Sequence, residues 1–138
     1  MKLSELVDLE SRDLMNITKL SELFSSLLGF QVFAINFPSY TKGTFTKLEI
    51  ISGIVEAGGV QDFNIQFMCK SDGHPSKAEA LAMEIINKLD VVTDKVFDDG
   101  KYQLILARVM TPQPTYVGET TAGEYIFSVD FRLLTTKI

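Results

Sequence analysis

The sequence contains one histidine, His74, and one cysteine, Cys69, five positions apart. A thiol beside an imidazole is the minimum for nucleophilic catalysis, because the imidazole takes the thiol proton. Cys69, however, ends an alternating apolar series that directs it into a core, whereas His74 stands between Gly73 and Pro75 in a turn. We interpret the two residues as a buried cysteine and a turn histidine. The sequence therefore predicts no catalytic residues, and we expect the protein not to be an enzyme.

Metal and cofactor sites have little support in the residue types. A zinc site needs three or four Cys, His or acidic ligands, and the chain has one Cys and one His. The acids Asp90, Asp94, Asp98 and Asp99 could gather calcium or magnesium, but they lack EF-hand spacing, which favours a solvated acidic loop. The Gly58-Gly59 pair lacks the lysine and helix that follow a phosphate-binding loop. We predict no metal and no cofactor.

The composition is that of one globular domain spanning residues 1–138. Hydrophobic residues make up 46% of the chain and charged residues 22%, with a net charge of -5 and a pI of about 4.8. This acidity argues against DNA wrapping, because the average surface repels phosphates. No apolar run reaches the roughly 18 residues of a membrane-spanning helix. We therefore expect no membrane partner. The single cysteine cannot form a disulfide within the chain, as is typical of proteins in a reducing cytoplasm.

The hydrophobic periodicity predicts an α+β fold. Helical spacing from Leu3 to Leu28 predicts one or two helices that end before Gly29, and a further helix is predicted after a capping box of Ser76 and Glu79. Strands are predicted over residues 30–37, 46–56, 62–70, 102–110 and 124–134, the first of them covered on both faces. The order of helix, three strands, helix, two strands favours a mostly antiparallel sheet of about five strands with helices packed on one face.

The last two predicted strands are joined by an unusually long connection, residues 111–123. Hairpin loops usually have two to five residues, so we interpret the connection as a long C-terminal hairpin arm. Two prolines stiffen it, and an aromatic and an aliphatic side chain could anchor it in a neighbouring molecule. The alternative is a tip that folds back onto its own sheet. The predicted subunit-interface residues are Gln113, Pro114, Thr115, Tyr116 and Val117, with Tyr40 and Phe45 from an earlier loop.

Four segments carry a resemblance to a known family. They are the pattern Ile-Gln-Phe-Met-Cys-Lys at residues 65–70, the helix start Pro-Ser-Lys-Ala-Glu-Ala at 75–80, the stretch Gln-Pro-Thr-Tyr-Val-Gly-Glu at 113–119, and residues 123–132. Across roughly residues 25–135 the chain resembles the minor capsid or tail terminator proteins of long-tailed phages and prophages.

The resemblance implies a structural protein that caps the tail tube as a ring. Six copies would end tube polymerisation and offer a head-tail joining surface. The implied partners are the protein itself, the tail tube protein and a head-completion or connector protein, with DNA only as passing cargo. The implied location is the virion tail or neck, after assembly in the host cytoplasm.

Two other interpretations remain open at the sequence level. One is another neck or head-completion protein of similar fold, which would bind a different end of the particle. The other is a small-ligand-binding or enzymatic α+β domain, with a pocket near His74 or the acidic residues 90–99.

Overall fold

The computed structural model describes residues 16–38, 43–51 and 54–138. Its helices are α1 (Ile17–Leu28) and α2 (Pro75–Leu89). Its strands are β1 (Val32–Ala34), β2 (Phe45–Ile50), β3 (Val55–Ala57), β4 (Val60–Asp72), β5 (Val92–Phe97), β6 (Tyr102–Val109), β7 (Thr115–Glu119) and β8 (Glu124–Lys137). No helix in these ranges is both long enough and apolar enough to cross a bilayer.

The strands form one mixed sheet built around two long central strands, β4 and β8. The order is β1-β2-β4-β8-β6-β5, with β3 added to β4 and β7 added to β8. Among the described strands, β1 and β2 are paired in parallel and the other pairs are antiparallel. The predicted α+β class and largely antiparallel sheet agree in outline, but the predicted count of about five strands is wrong, because the described residues form eight.

The core lies between the two helices and one face of the sheet. Alternate residues of β4 and β8 point to this face, as the two-residue period of a strand requires. Phe67 lies at its centre, fully buried, with its ring edge-on to Phe24 of α1 at 5.4 Å and to Phe131 of β8 at 5.7 Å. Within the described part of the chain, the buried apolar residues form one cluster, which includes Cys69 as predicted.

Both helix termini of α1 follow their sequence signals. The Asn16 side chain accepts a hydrogen bond from the Thr18 amide at 2.9 Å, and Gly29 ends the helix with a φ of 82°. The residues before Asn16 that were included in the predicted first helix lie outside the described residues.

The predicted capping box of Ser76 and Glu79 is wrong. Helix α2 begins at Pro75, with His74 as the N-cap residue two positions before Ser76 and with no side-chain capping hydrogen bond. Proline is favoured at the first helical position because its φ is already helical and its missing N–H would have no partner there. Ser71 instead donates its hydroxyl to the His74 carbonyl at 2.7 Å and fixes the turn before the helix.

The strand predictions differ from the structure in three places. The strand predicted over 30–37 is limited to the edge strand β1, because Ile35 adopts a φ of 72° and leaves the extended conformation. The strand predicted over 46–56 is divided into β2 and β3, which pair with different parts of β4. The acidic segment predicted as a loop contains β5, because Phe97 is buried and stacks on Tyr102 at 5.7 Å.

Candidate subunit interface

The predicted hairpin arm is partly a strand of the sheet. Residues 115–119 form β7, which pairs with the start of β8 through Thr115 opposite Ser128 and Tyr116 opposite Phe127. β6 and β7 therefore pair with the same side of β8, β6 with its C-terminal half and β7 with its N-terminal half. The prediction of a free tip over the whole of 111–123 is wrong for β7, because its backbone completes the ladder that β8 would otherwise leave unpaired at this end.

The side chains of β7 nevertheless face outward. Tyr116 is 54% exposed and Val117 is 49% exposed, although the Tyr116 ring also leans on Phe127 with a centroid separation of 5.3 Å. A register shift between Tyr116 and Gly118 leaves Val117 without a partner opposite it in β8. The alternative in which the connection folds back onto its own sheet is thus correct for the β7 backbone and for one face of the Tyr116 ring. The Val117 side chain and the rest of the Tyr116 ring remain exposed to a partner.

The remaining arm residues precede β7. Gln113 and Thr115 are exposed, and Pro114 is half-buried. The two prolines of the segment cannot donate ladder hydrogen bonds, which explains why β6 and β7 do not form one continuous strand. The structure places Gln113 to Val117 at one end of the sheet, and their role in a subunit contact remains a prediction.

Phe45, the other described residue of the predicted interface, lies in an aromatic and cationic cluster. Its ring is edge-on to Phe33 at 5.9 Å, and the Lys70 Nζ atom lies 5.7 Å from its centroid. Lys70 Nζ also lies 5.2 Å from the centroid of Phe37, in a cation–π arrangement. Phe45 is half-buried, so it combines a structural role with a partly accessible face. Tyr40 lies outside the described residues.

The Lys70 side chain forms an ion pair with Glu124, and the sequence pattern did not indicate this pair. Lys70 Nζ lies 2.6 Å from Glu124 Oε2, and the two side chains are only 9% and 19% exposed. The hydrogen bond from Lys70 lowers the pKa of the Glu124 carboxyl, which keeps it ionised. Thr120 donates its hydroxyl to the other carboxylate oxygen at 3.2 Å, so the pair also fixes the turn between β7 and β8. The apolar alternation of each strand places Lys70 and Glu124 on the face predicted to contact solvent. Their burial as an ion pair becomes visible only when β4 and β8 are paired in the structure.

The residues considered for chemistry do not converge on a site. Burial raises the pKa of the Cys69 thiol to about 12, and its sulfur lies 3.6 Å from the Thr46 hydroxyl. The Asp90 carboxylate accepts the Val109 amide at 2.9 Å. In residues 16–38, 43–51 and 54–138, no three His, Cys, Asp or Glu side chains are grouped closely enough to hold a metal ion.

Comparisons with known proteins agree with a phage structural role. A family model described as bacteriophage tail terminator protein matches residues 10–137. The fold is similar to that of a chain in a solved structure entitled "Virion of native gene transfer agent (GTA) particle", with a TM-score of 0.58 and 17% identity over 83% of this chain and 84% of that chain. At that identity the likeness concerns the fold alone. Curated protein sequences give no match. Since the family model covers nearly the whole sequence, the resemblance to tail terminators is confirmed, and the chain belongs to the bacteriophage tail terminator family.

Proposed function

We propose that this protein caps the phage tail tube as a ring of six copies. The ring ends tube polymerisation and presents the surface on which the head joins the tail. The protein is structural in this role and uses no cofactor. It assembles in the host cytoplasm and remains in the virion at the junction of tail and neck.

The observation that carries this proposal is the apolar surface of β7. Tyr116 and Val117 are each about half exposed on an edge strand, next to two prolines that limit the conformations of the preceding segment. A stiff segment loses little conformational entropy when a partner binds it, and a tyrosine is among the residues most often enriched at interfaces. A subunit contact through β7 supports assembly into a ring.

The other partners follow from the proposed position in the particle. One side of the ring contacts the tail tube protein and the other contacts a head-completion or connector protein. DNA passes through as cargo, and a net charge of -5 suits a conduit because it disfavours tight binding of the duplex.

Electron microscopy of the purified protein with and without tail tubes tests the proposal. We expect a six-membered ring at one end of the tubes. A protein that binds heads or connectors but never tube ends would instead be another neck component, and the terminator role would be wrong.

A matched pair of variants tests the β7 surface. The double variant Tyr116→Thr and Val117→Thr keeps β-forming side chains but removes apolar area. We expect it to fold and to lose ring formation. The control, Val55→Thr with Val96→Thr, changes two comparably exposed residues elsewhere on the sheet and should still cap tubes. Equal capping by both variants would exclude β7 from the interface.

A further inference from the structure

The strand registers place β1 and β7 at opposite edges of the same end of the sheet. Phe45 of β2 lies opposite Lys70 of β4, Lys70 lies opposite Ile126 of β8, and Ile126 lies opposite Gly118 of β7. β1 lies on the outer side of β2. Four strand spacings, about 19 Å in total, therefore separate the two edge strands, neither of which has another strand partner among the described residues.

The β1 edge carries an apolar groove of about 360 Å³. Its lining residues are Phe30, Gln31, Phe33, Thr44, Phe45, Thr46 and Leu81. None of these side chains carries a formal charge, and the aromatic rings of Phe33 and Phe45 stand edge-on to each other in its wall. The groove thus matches the chemistry of an aromatic and an aliphatic side chain presented together.

The charges beside the two edges are complementary. Glu119 is the single charged residue of segment 111–123, lies two positions after Val117, and is exposed. Lys77 lies one helical turn before the groove residue Leu81, and it is also exposed. Neither side chain forms an ion pair within the part of the chain that the structure describes.

We propose that Tyr116 and Val117 of one copy dock into the groove of Phe33 and Leu81 on a second copy, with Glu119 paired to Lys77. This inference rests on the proposed ring and names its contact. Donor and acceptor surfaces lie at opposite edges of one molecule, so the contact is head-to-tail. A heterologous contact of this kind generates a closed ring when its rotation closes.

A charge exchange tests the pairing in the full-length protein. Glu119→Lys and Lys77→Glu each place like charges at the contact, and we expect each to lower the fraction of capped tubes at least about tenfold. The double variant restores the pair with its signs exchanged and should recover most of the capping. The matched control Glu79→Lys reverses an exposed acid on the same helix and should cap as the wild type does. Capping unaffected by either single variant, or a double variant no better than the singles, would overturn the pairing.

Disulfide trapping tests the contact independently of charge. A chain carrying both Val117→Cys and Leu81→Cys should form covalent multimers up to the full ring on mild oxidation. The buried native thiol of Cys69 gives little background. The control chain with Val96→Cys and Leu81→Cys should remain monomeric on denaturing gels.

The outcomes separate this contact from the proposed function. If the wild type forms rings at tube ends, but the charge-exchanged double variant does not recover capping and the cysteine variant forms no cross-links, the contact is wrong and the ring is retained. Absence of wild-type rings would overturn the proposed function, while a disulfide between the two engineered positions in solution would still support the contact.

Discussion

Replacing Glu124 with glutamine removes the anion that faces a nearly buried lysine. In the folded protein Lys70 Nζ lies 2.6 Å from the Glu124 carboxylate, and the Lys70 side chain is 9% exposed. Glutamine keeps the size of the side chain and can still hydrogen-bond, but it carries no charge. The ammonium group of Lys70 would then remain at a site where water reaches it poorly.

The expected cost follows from this geometry. Breaking a fully buried ion pair by removing one partner destabilises a protein by about 3–5 kcal/mol. Two features reduce that value here, since Glu124 is 19% exposed and the rings of Phe37 and Phe45 offer cation–π contacts worth about 0.5–1 kcal/mol each. We therefore expect Glu124→Gln to lower the free energy of unfolding by about 2–3 kcal/mol, and Tm by about 7–10 °C for a chain of this length.

Urea unfolding at neutral pH measures the effect, with Asp62→Asn as the matched control. Asp62 forms an ion pair with Arg132 at 2.6 Å between the same two strands, but the two side chains are 38% and 56% exposed. Water and salt screen an exposed pair of this kind, so its contribution to stability is small. Equal losses in the two variants, or a loss below about 1 kcal/mol in Glu124→Gln, would refute the view that burial makes the Lys70 pair important.

Three further predictions concern stability and reactivity. The pKa values of the Glu124 and Asp62 carboxyls are lowered by hydrogen bonds from their basic partners, so their contribution to stability is complete above the ordinary carboxyl pKa and is lost as pH falls through the lower folded values. Unfolding measured from pH 6 downward should show this loss beginning near 4.5, the ordinary Glu value, and a shallower pH dependence in Glu124→Gln. Phe67→Ala should cost about 3–5 kcal/mol in urea unfolding and Phe67→Leu clearly less, since leucine leaves a smaller cavity; similar costs would contradict the tight ring packing. The Cys69 thiol, with a pKa of about 12, should react with a thiol reagent at pH 8 only on unfolding, and rapid labelling of the folded protein would contradict its burial.

Helix α2 and strand β4 were predictable because their signals are local. Ala78, Ala82, Ile85 and Leu89 recur at helical spacing and are all buried, whereas Leu81, which lies on the same apolar stripe, is half-buried. In β4 the alternation that ends at Cys69 directs its odd-numbered residues into the core. In both elements the buried face is largely apolar, with Gln61 and Ser71 as polar members of the buried face of β4, so hydrophobic burial favours one orientation.

The sequence did not predict β5 and β7, because strand pairing compensates for weak local propensity. β5 contains Asp94 and Lys95, and β7 contains a glycine and follows two prolines, so both segments have the composition of loops. Each becomes a strand because a neighbouring strand supplies hydrogen-bond partners for its backbone. This information lies outside each segment, in the strand that follows it across a short turn, β6 for β5 and β8 for β7.

For the candidate interface, the sequence by itself determined which residues are unusual, namely the proline-braced Tyr116 and Val117. Only the tertiary structure decided that these residues lie on the other side of β4 and β8 from Phe45. It also brought Lys70 of β4 and Glu124 of β8 together at the same end of the sheet. The physical reason is that residue type and spacing fix local conformation and burial, whereas strand order and register depend on contacts between segments far apart in sequence.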